Sequence, residues 1–169
     1  TLIADLVQKI SWSTFVCTGV ALGLAATKMR AAVMGFAGLI AAPMAFYIAK
    51  ALHKSVSQAL SISEQAAVAG PSPFLLASIK GAEYAALGCL VALLGKWTAA
   101  GLKEHALAGL MIGLLFGGAI VYTMASMAAD PLPLFVLVSR AANEIIFPVG
   151  CALVLYAAQK LGQKHASKA

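Results

Sequence analysis

Five long stretches of this chain are apolar almost without interruption: about 10–27, 31–51, 74–95, 105–127 and 134–159. Each approaches the roughly 20 residues that an α-helix needs to cross a hydrocarbon layer about 30 Å thick. In lipid a backbone must satisfy its own hydrogen bonds, and a helix does so within one segment. A β-barrel would need sustained alternation of apolar and polar residues, which these stretches lack. Composition agrees. Of 169 residues 62% are hydrophobic and 11% charged, with a mean hydropathy of +0.92. A soluble domain carries about 25% charged residues, so the chain has too little polar side chain to cover a surface facing water. The expected fold is all-α: a polytopic integral membrane helical bundle of about five transmembrane helices, forming a single domain over 1–169.

The apolar stretches resemble one another. Cys17, Cys89 and Cys151 occupy the same place in three of them, within CTGVALG, CLVALLG and CALVLY. An offset of 72 aligns Trp12 with Tyr84, Cys17 with Cys89 and Gly23 with Gly95; an offset of 75 aligns Lys28 with Lys103, Gly38 with Gly113 and Tyr47 with Tyr122. The shift of three falls in a loop, where insertions are tolerated. The pattern predicts a tandem hairpin repeat, with repeat 1 over about 10–51, repeat 2 over about 74–127, and a fifth helix over about 134–159 that copies the first helix of a hairpin. Convergent use of Ala, Gly and Leu is the competing explanation. Residues 52–73 form an interfacial connection in which Leu52, Val56, Leu60 and Ala67 suggest a short helix lying on the membrane surface, ended by GPSP. Residues 160–169 form a basic tail.

The formal charge of +6 sits in connections and tail. Lys28, Arg30, Lys96, Lys103, Lys160, Lys164 and Lys168 fall on one side of the five spans, and Lys9, Lys50 and Lys54 on the other. This asymmetry predicts a cytoplasmic C-terminus, an outer N-terminus and a bacterial or archaeal inner membrane as location. No nucleic-acid motif accompanies the charge, so the partner is the lipid bilayer and not nucleic acid. The N-terminal residues show no cleavable leader. The cysteines lie in separate spans without CxxC or Cys/His pairing, so no metal is expected.

Chemistry is expected at the charges inside the spans. Lys80 and Glu83 share a helix face, as do Arg140, Asn143 and Glu144. Both groups fall roughly 9–15 Å below the outer edge at 1.5 Å per residue. A charge at mid-membrane costs at least about 2.5–3.5 kcal/mol, so such residues face a bundle interior and mark ion or proton paths. Glu144 and Glu83 are the candidate titrating groups, Lys80 and Arg140 their tuning partners, and Asn143 a neutral ligand. The alternative is a salt-bridge net that only fixes the fold. Pro148 inside the fifth span frees the carbonyl of Glu144; Pro43 kinks the second span without an acid nearby.

Gly109, Gly113 and Gly117, and Gly35 and Gly38, form small faces that let helices approach, within the chain or against another subunit. Tyr47, Tyr122, Trp12 and Trp97 are expected at the membrane interfaces. Walker, HExxH and GxSxG patterns are absent, and no histidine falls in a span core, so neither an enzyme nor a cofactor is expected. The expected function is transport of protons or small cations, by a homo-oligomer or with other membrane subunits. The second expectation is a structural or accessory subunit of an energy-converting membrane complex.

Overall fold

Glycine, serine and proline mark several helix ends, at Gly23, Ser72, Gly95, Gly101 and Pro133. The computed structural model describes residues 2–25, 29–59, 70–97, 99–128 and 130–166. Lys28, Leu60, Ala67 and Lys168, which the sequence assigns to a turn, an interfacial helix and a tail, lie outside these residues. Helix α1 (Leu2–Leu22) passes into a 3-10 turn at Gly23–Ala25. Helix α2 (Arg30–Ala59) follows Met29, which takes the left-handed conformation, φ 53°. Helix α3 (Pro73–Leu94) is capped by the Ser72 hydroxyl, which accepts from the Leu75 N–H at 3.2 Å, with Pro73 in the first turn. Helix α4 (Leu102–Ile112) opens where the Gly101 N–H donates to Glu104 Oε2 at 2.7 Å. It continues through a π-helical turn, Gly113–Gly117, into α5 (Gly118–Ser126). Helix α6 (Leu134–Ala166) starts after Pro133, whose carbonyl accepts from Val136 N–H.

The sequence separates an interfacial connection, 52–73, from the second span. In the structure α2 runs unbroken to Ala59. Residues 44–59 hold neither Gly nor Pro, so nothing in them ends a helix once it has started. At 1.5 Å per residue α2 is about 45 Å long, longer than a hydrocarbon core.

Among the described residues four rods are long and apolar enough to cross a membrane: α2, α3, α4–α5 taken together, and α6 as far as Gln163. Helix α1, the fifth rod, is not among them. Gln8, Lys9, Ser11, Ser13 and Thr14 dilute its hydropathy.

Large apolar side chains lie on the outside of the bundle. Phe36 and Met44 on α2, Phe74 on α3, Leu115 on α5's approach and Phe135 on α6 point outward and are exposed. Between the helices lie small and medium residues: Val16, Val20, Ala42, Ala45, Leu87, Val91, Ala152 and Leu155. Association without a water-driven hydrophobic effect depends on close packing, and glycines permit it. A Cβ on Gly38 would strike the Tyr84 carbonyl, and one on Gly88 the Met34 carbonyl, so α2 and α3 touch backbone to backbone. Gly35 lies against the Cys89 sulfur. Helix α2 is thus held between α1 and α3, while α4 leans chiefly on α6 and only lightly on α3. The two hairpins, α1–α2 and α3–α4, are therefore not packed alike.

Candidate functional site

The site begins with a helix-spacing rule. Lys80 and Glu83 are three residues apart on α3, one above the other on the same face. That face is turned inward: Glu83 is 0% exposed and Lys80 7%. The Lys80 ammonium donates to Glu83 Oε2 at 2.8 Å. It also donates to Glu144 Oε2, from α6, on its other side. One ammonium is held between two carboxylates, one from its own helix and one, Glu144, 64 positions further along the chain. Lys80 lies about 10 Å from the start of α3, and Glu144 about 15 Å from the start of α6, at 1.5 Å per residue.

Aromatic rings complete the enclosure. Lys80 Nζ lies 5.2 Å from the Trp12 ring centroid and 5.9 Å from that of Tyr84, within the range of cation–π attraction. Trp12 meets Tyr84 edge-on at 5.1 Å and Phe147 at 5.2 Å. The sequence places Trp12 at the membrane interface; instead it is 8% exposed and walls the ion cluster. The reason is that Trp12 lies on the face of α1 turned toward α3 and α6, where it meets Tyr84 and Phe147. Tyr84, which the sequence treats only as a repeat partner of Trp12, is fully buried. Two buried oxygens here find no hydrogen-bond partner among the described residues, Glu83 Oε1 and Tyr84 Oη. Further along the bundle Cys17 is half-buried and Cys151 buried, both as free thiols. Cys89, the third of the set, donates to the Ala31 carbonyl at 3.3 Å.

A cavity of about 240 Å³ opens onto the cluster, lined by Trp12, Lys80, Arg140, Asn143, Glu144 and Phe147 among others. Glu144 is its accessible acid, with its side chain 20% exposed, while Glu83 is sealed behind Lys80. Arg140 does not join the triad. Its Nη1 donates to the Met124 sulfur at 3.3 Å, and the residue is exposed at the cavity's side. Being four residues from Glu144 puts Arg140 one turn nearer the helix start, where its long side chain extends toward α5 instead. Asn143 lines the cavity and is half-buried.

The backbone around Glu144 is unusual. Pro148 is buried and denies the Glu144 carbonyl its helical donor. The glycine row of α4 crosses at this level. A Cβ on Gly109 would come within 2.6 Å of Val149 Cα, one on Gly113 within 2.9 Å of Ile145 Cα, and one on Gly117 within 2.6 Å of Glu144 Cβ. The π-helical turn spans the last two of these glycines, Gly113–Gly117. Such turns insert one residue into a helix and concentrate at functional positions. On α2, Pro43 lies against Gly81, next in sequence to Lys80. Tyr47 and Tyr122 are exposed, at 46% and 74%, and do not line the cavity.

No protein-family model, curated protein or solved structure matches this chain. Its function has to be argued from the ion cluster itself.

Proposed function

We propose that this protein moves protons or small cations across a membrane, with Glu144 as the accessible acid, Glu83 as the inner one, and Lys80 as the switch between them. The observation that carries this reading is the count of charges. Two carboxylates share one ammonium, so one negative charge is left over when all three groups are ionised. Enclosure makes that charge costly, and a proton or a small cation is the cheapest way to cancel it. A purely structural ion pair would be balanced. It would also have no need of an acid facing an open cavity.

Asn143 is a neutral ligand beside the entrance, and Arg140 and Lys9 at the cavity lining set its potential. Beyond Glu83 the bundle is closed by Leu87, Val91, Val20 and Leu155, so passage requires the helices to move. The π-helical turn and the Pro148 break face each other across the α4–α6 contact, where the helical ladder is weakest, and serve as the hinge. The same reading takes α1 as a fifth crossing, puts the C-terminus in the cytoplasm of a bacterial or archaeal inner membrane on the strength of the lysine asymmetry, and treats the matched registers as a tandem hairpin repeat. It also makes the chain one subunit of an oligomer or larger membrane complex.

The test uses the full chain in sealed vesicles with a pH-sensitive dye inside and an imposed potential. Glu144→Gln keeps the shape and a hydrogen-bond acceptor for Lys80 while removing the charge. Flux should fall at least about a hundredfold, the lower end of the usual scale for loss of a proton-transfer group, with helicity and elution volume unchanged. Undiminished flux in a well-folded Glu144→Gln protein rules the reading out.

A further inference from the structure

A second polar cavity lies at the other end of the bundle. It is built where α3 ends, α4 begins and α6 passes both, and Gly95 is some 22 Å along α3 from Lys80 at 1.5 Å per residue. Its volume is about 210 Å³, and its lining includes Lys96, Trp97, His105, Tyr156, Gln159 and Lys160. His105 is 1% exposed. Its Nδ1 lies 2.7 Å from the Gly101 carbonyl, which can only accept, so Nδ1 carries the hydrogen. In the neutral ring Nε2 is then an acceptor, and it is buried with no partner among the described residues. The Gln159 side-chain nitrogen, a donor, is buried without a partner in the same cavity. Burying such groups unpaired is costly, and one guest that both donates and accepts would satisfy the two. The ligand must donate to His105 and accept from Gln159.

Charge narrows its chemistry. Lys96 and Lys160 are exposed at the rim. The Lys160 ammonium stands 5.7 Å from the Tyr156 ring centroid, and that ring meets His105 at 4.8 Å. The rim calls for an anion with several acceptor oxygens. Glu104 turns its carboxylate to the Gly101 N–H and does not line the cavity. Trp97, 68% exposed, sits as an interfacial tryptophan would at headgroup depth. Gly95 makes the room: a Cβ there would come within 3.2 Å of the Gln159 amide.

We infer that this cavity binds a phosphate bearing a free hydroxyl. The phosphate oxygens accept from Lys96, Lys160 and Gln159, and the hydroxyl donates to His105 Nε2. Two sources carry this chemistry, a hydroxylated anionic lipid headgroup and a soluble glycerol phosphate. The site is independent of the carboxylate cluster, so it stands or falls apart from the transport reading.

Native mass spectrometry of the detergent-solubilised full chain tests it, with phosphatidylglycerol and phosphatidylmethanol as probes. The two have equal charge, and only the first carries hydroxyls. The wild-type protein should retain phosphatidylglycerol about tenfold more strongly, the worth of one buried hydrogen bond to an otherwise unpaired group. His105→Phe should bring the two lipids level, while Lys96→Ala/Lys160→Ala, confined to exposed side chains, should weaken both about equally. Displacement of the lipid by sn-glycerol 3-phosphate assigns the soluble source, and persistence of the lipid assigns the membrane. Equal retention of both lipids by the wild type, or retention unmoved by the double lysine variant, overturns the inference. The lysine variant decides the matter even if His105→Phe does not fold.

Discussion

At Lys80 the cost of burial and the value of pairing are nearly balanced, and this makes the residue a sensitive probe. The ammonium is shielded from water and satisfied by two carboxylates and two ring faces. Removing one partner of a buried ion pair leaves the other uncompensated, at a cost of about 3–5 kcal/mol. Lys80→Met should therefore lower the thermal midpoint in detergent sharply. Lys80→Met combined with Glu83→Leu should recover part of the loss, because only Glu144, which faces the open cavity, is then left without its partner. The comparison is a double-mutant cycle. Additive losses would mean that the two side chains do not depend on each other. The acids and the lysine were legible as residues in the sequence, through their rarity in apolar stretches and their spacing. Their meeting was not. Nothing in the letters around Arg140 and Glu144 tells which of two neighbouring cations, Lys80 or Arg140, would complete the pair with Glu144. Nor does anything mark Trp12 as the wall of an ion site, since a tryptophan near a span end reads equally well as an interface anchor.

Among the elements, the glycine row of α4 decides most. Gly109, Gly113 and Gly117 face α6 in the same chain. A row of this kind is readable from sequence as a packing face, but its partner is not, because any helix with a smooth surface suits it. The consequence is specific. Gly113→Leu would drive a side chain into Ile145 and the Glu144 carbonyl, and overpacking of this kind costs about 1–3 kcal/mol or more. Such a variant should lose thermal stability and transport together, through its own α4–α6 contact. Gly118 has open space where a Cβ would go, so Gly118→Leu should leave the midpoint within about 0.5 kcal/mol of wild type, as a surface change does. Equal damage from the two substitutions would show that α4 does not seat on α6 as described. A second element-level change is available at Met29, whose φ of 53° suits glycine. Met29→Gly relieves a conformation costing about 1 kcal/mol or more, and it should raise the midpoint in a thermal scan.

For the whole molecule, the prediction concerns assembly. The bundle's outer surface carries large apolar side chains on every long helix. Its small-residue row at Gly109, Gly113 and Gly117 is already used within the chain. An oligomer would therefore have to form through faces such as that around the exposed Gly118, and not through Gly113. The mass of the protein–detergent complex by light scattering should exceed that of one chain, and Gly118→Leu should reduce it without lowering the thermal midpoint. A monomeric mass for the wild-type protein removes the oligomer from the proposal.

Hydropathy alone, with 11% charge spread over 169 residues, determined that this chain is helical and that several of its helices have the length and apolarity of membrane spans. A segment's fitness for lipid is a sum over its own side chains and needs no knowledge of its neighbours. The start of α3 after GPSP was local for the same reason, since capping and proline geometry act within a turn. Which helix faces which was decided only in three dimensions. The Glu83–Lys80–Glu144 cluster, the enclosure by Trp12 and Tyr84, and the unpaired nitrogens of His105 and Gln159 all join residues far apart in the chain. Their energies come from shared burial and distance, which the order of residues does not record.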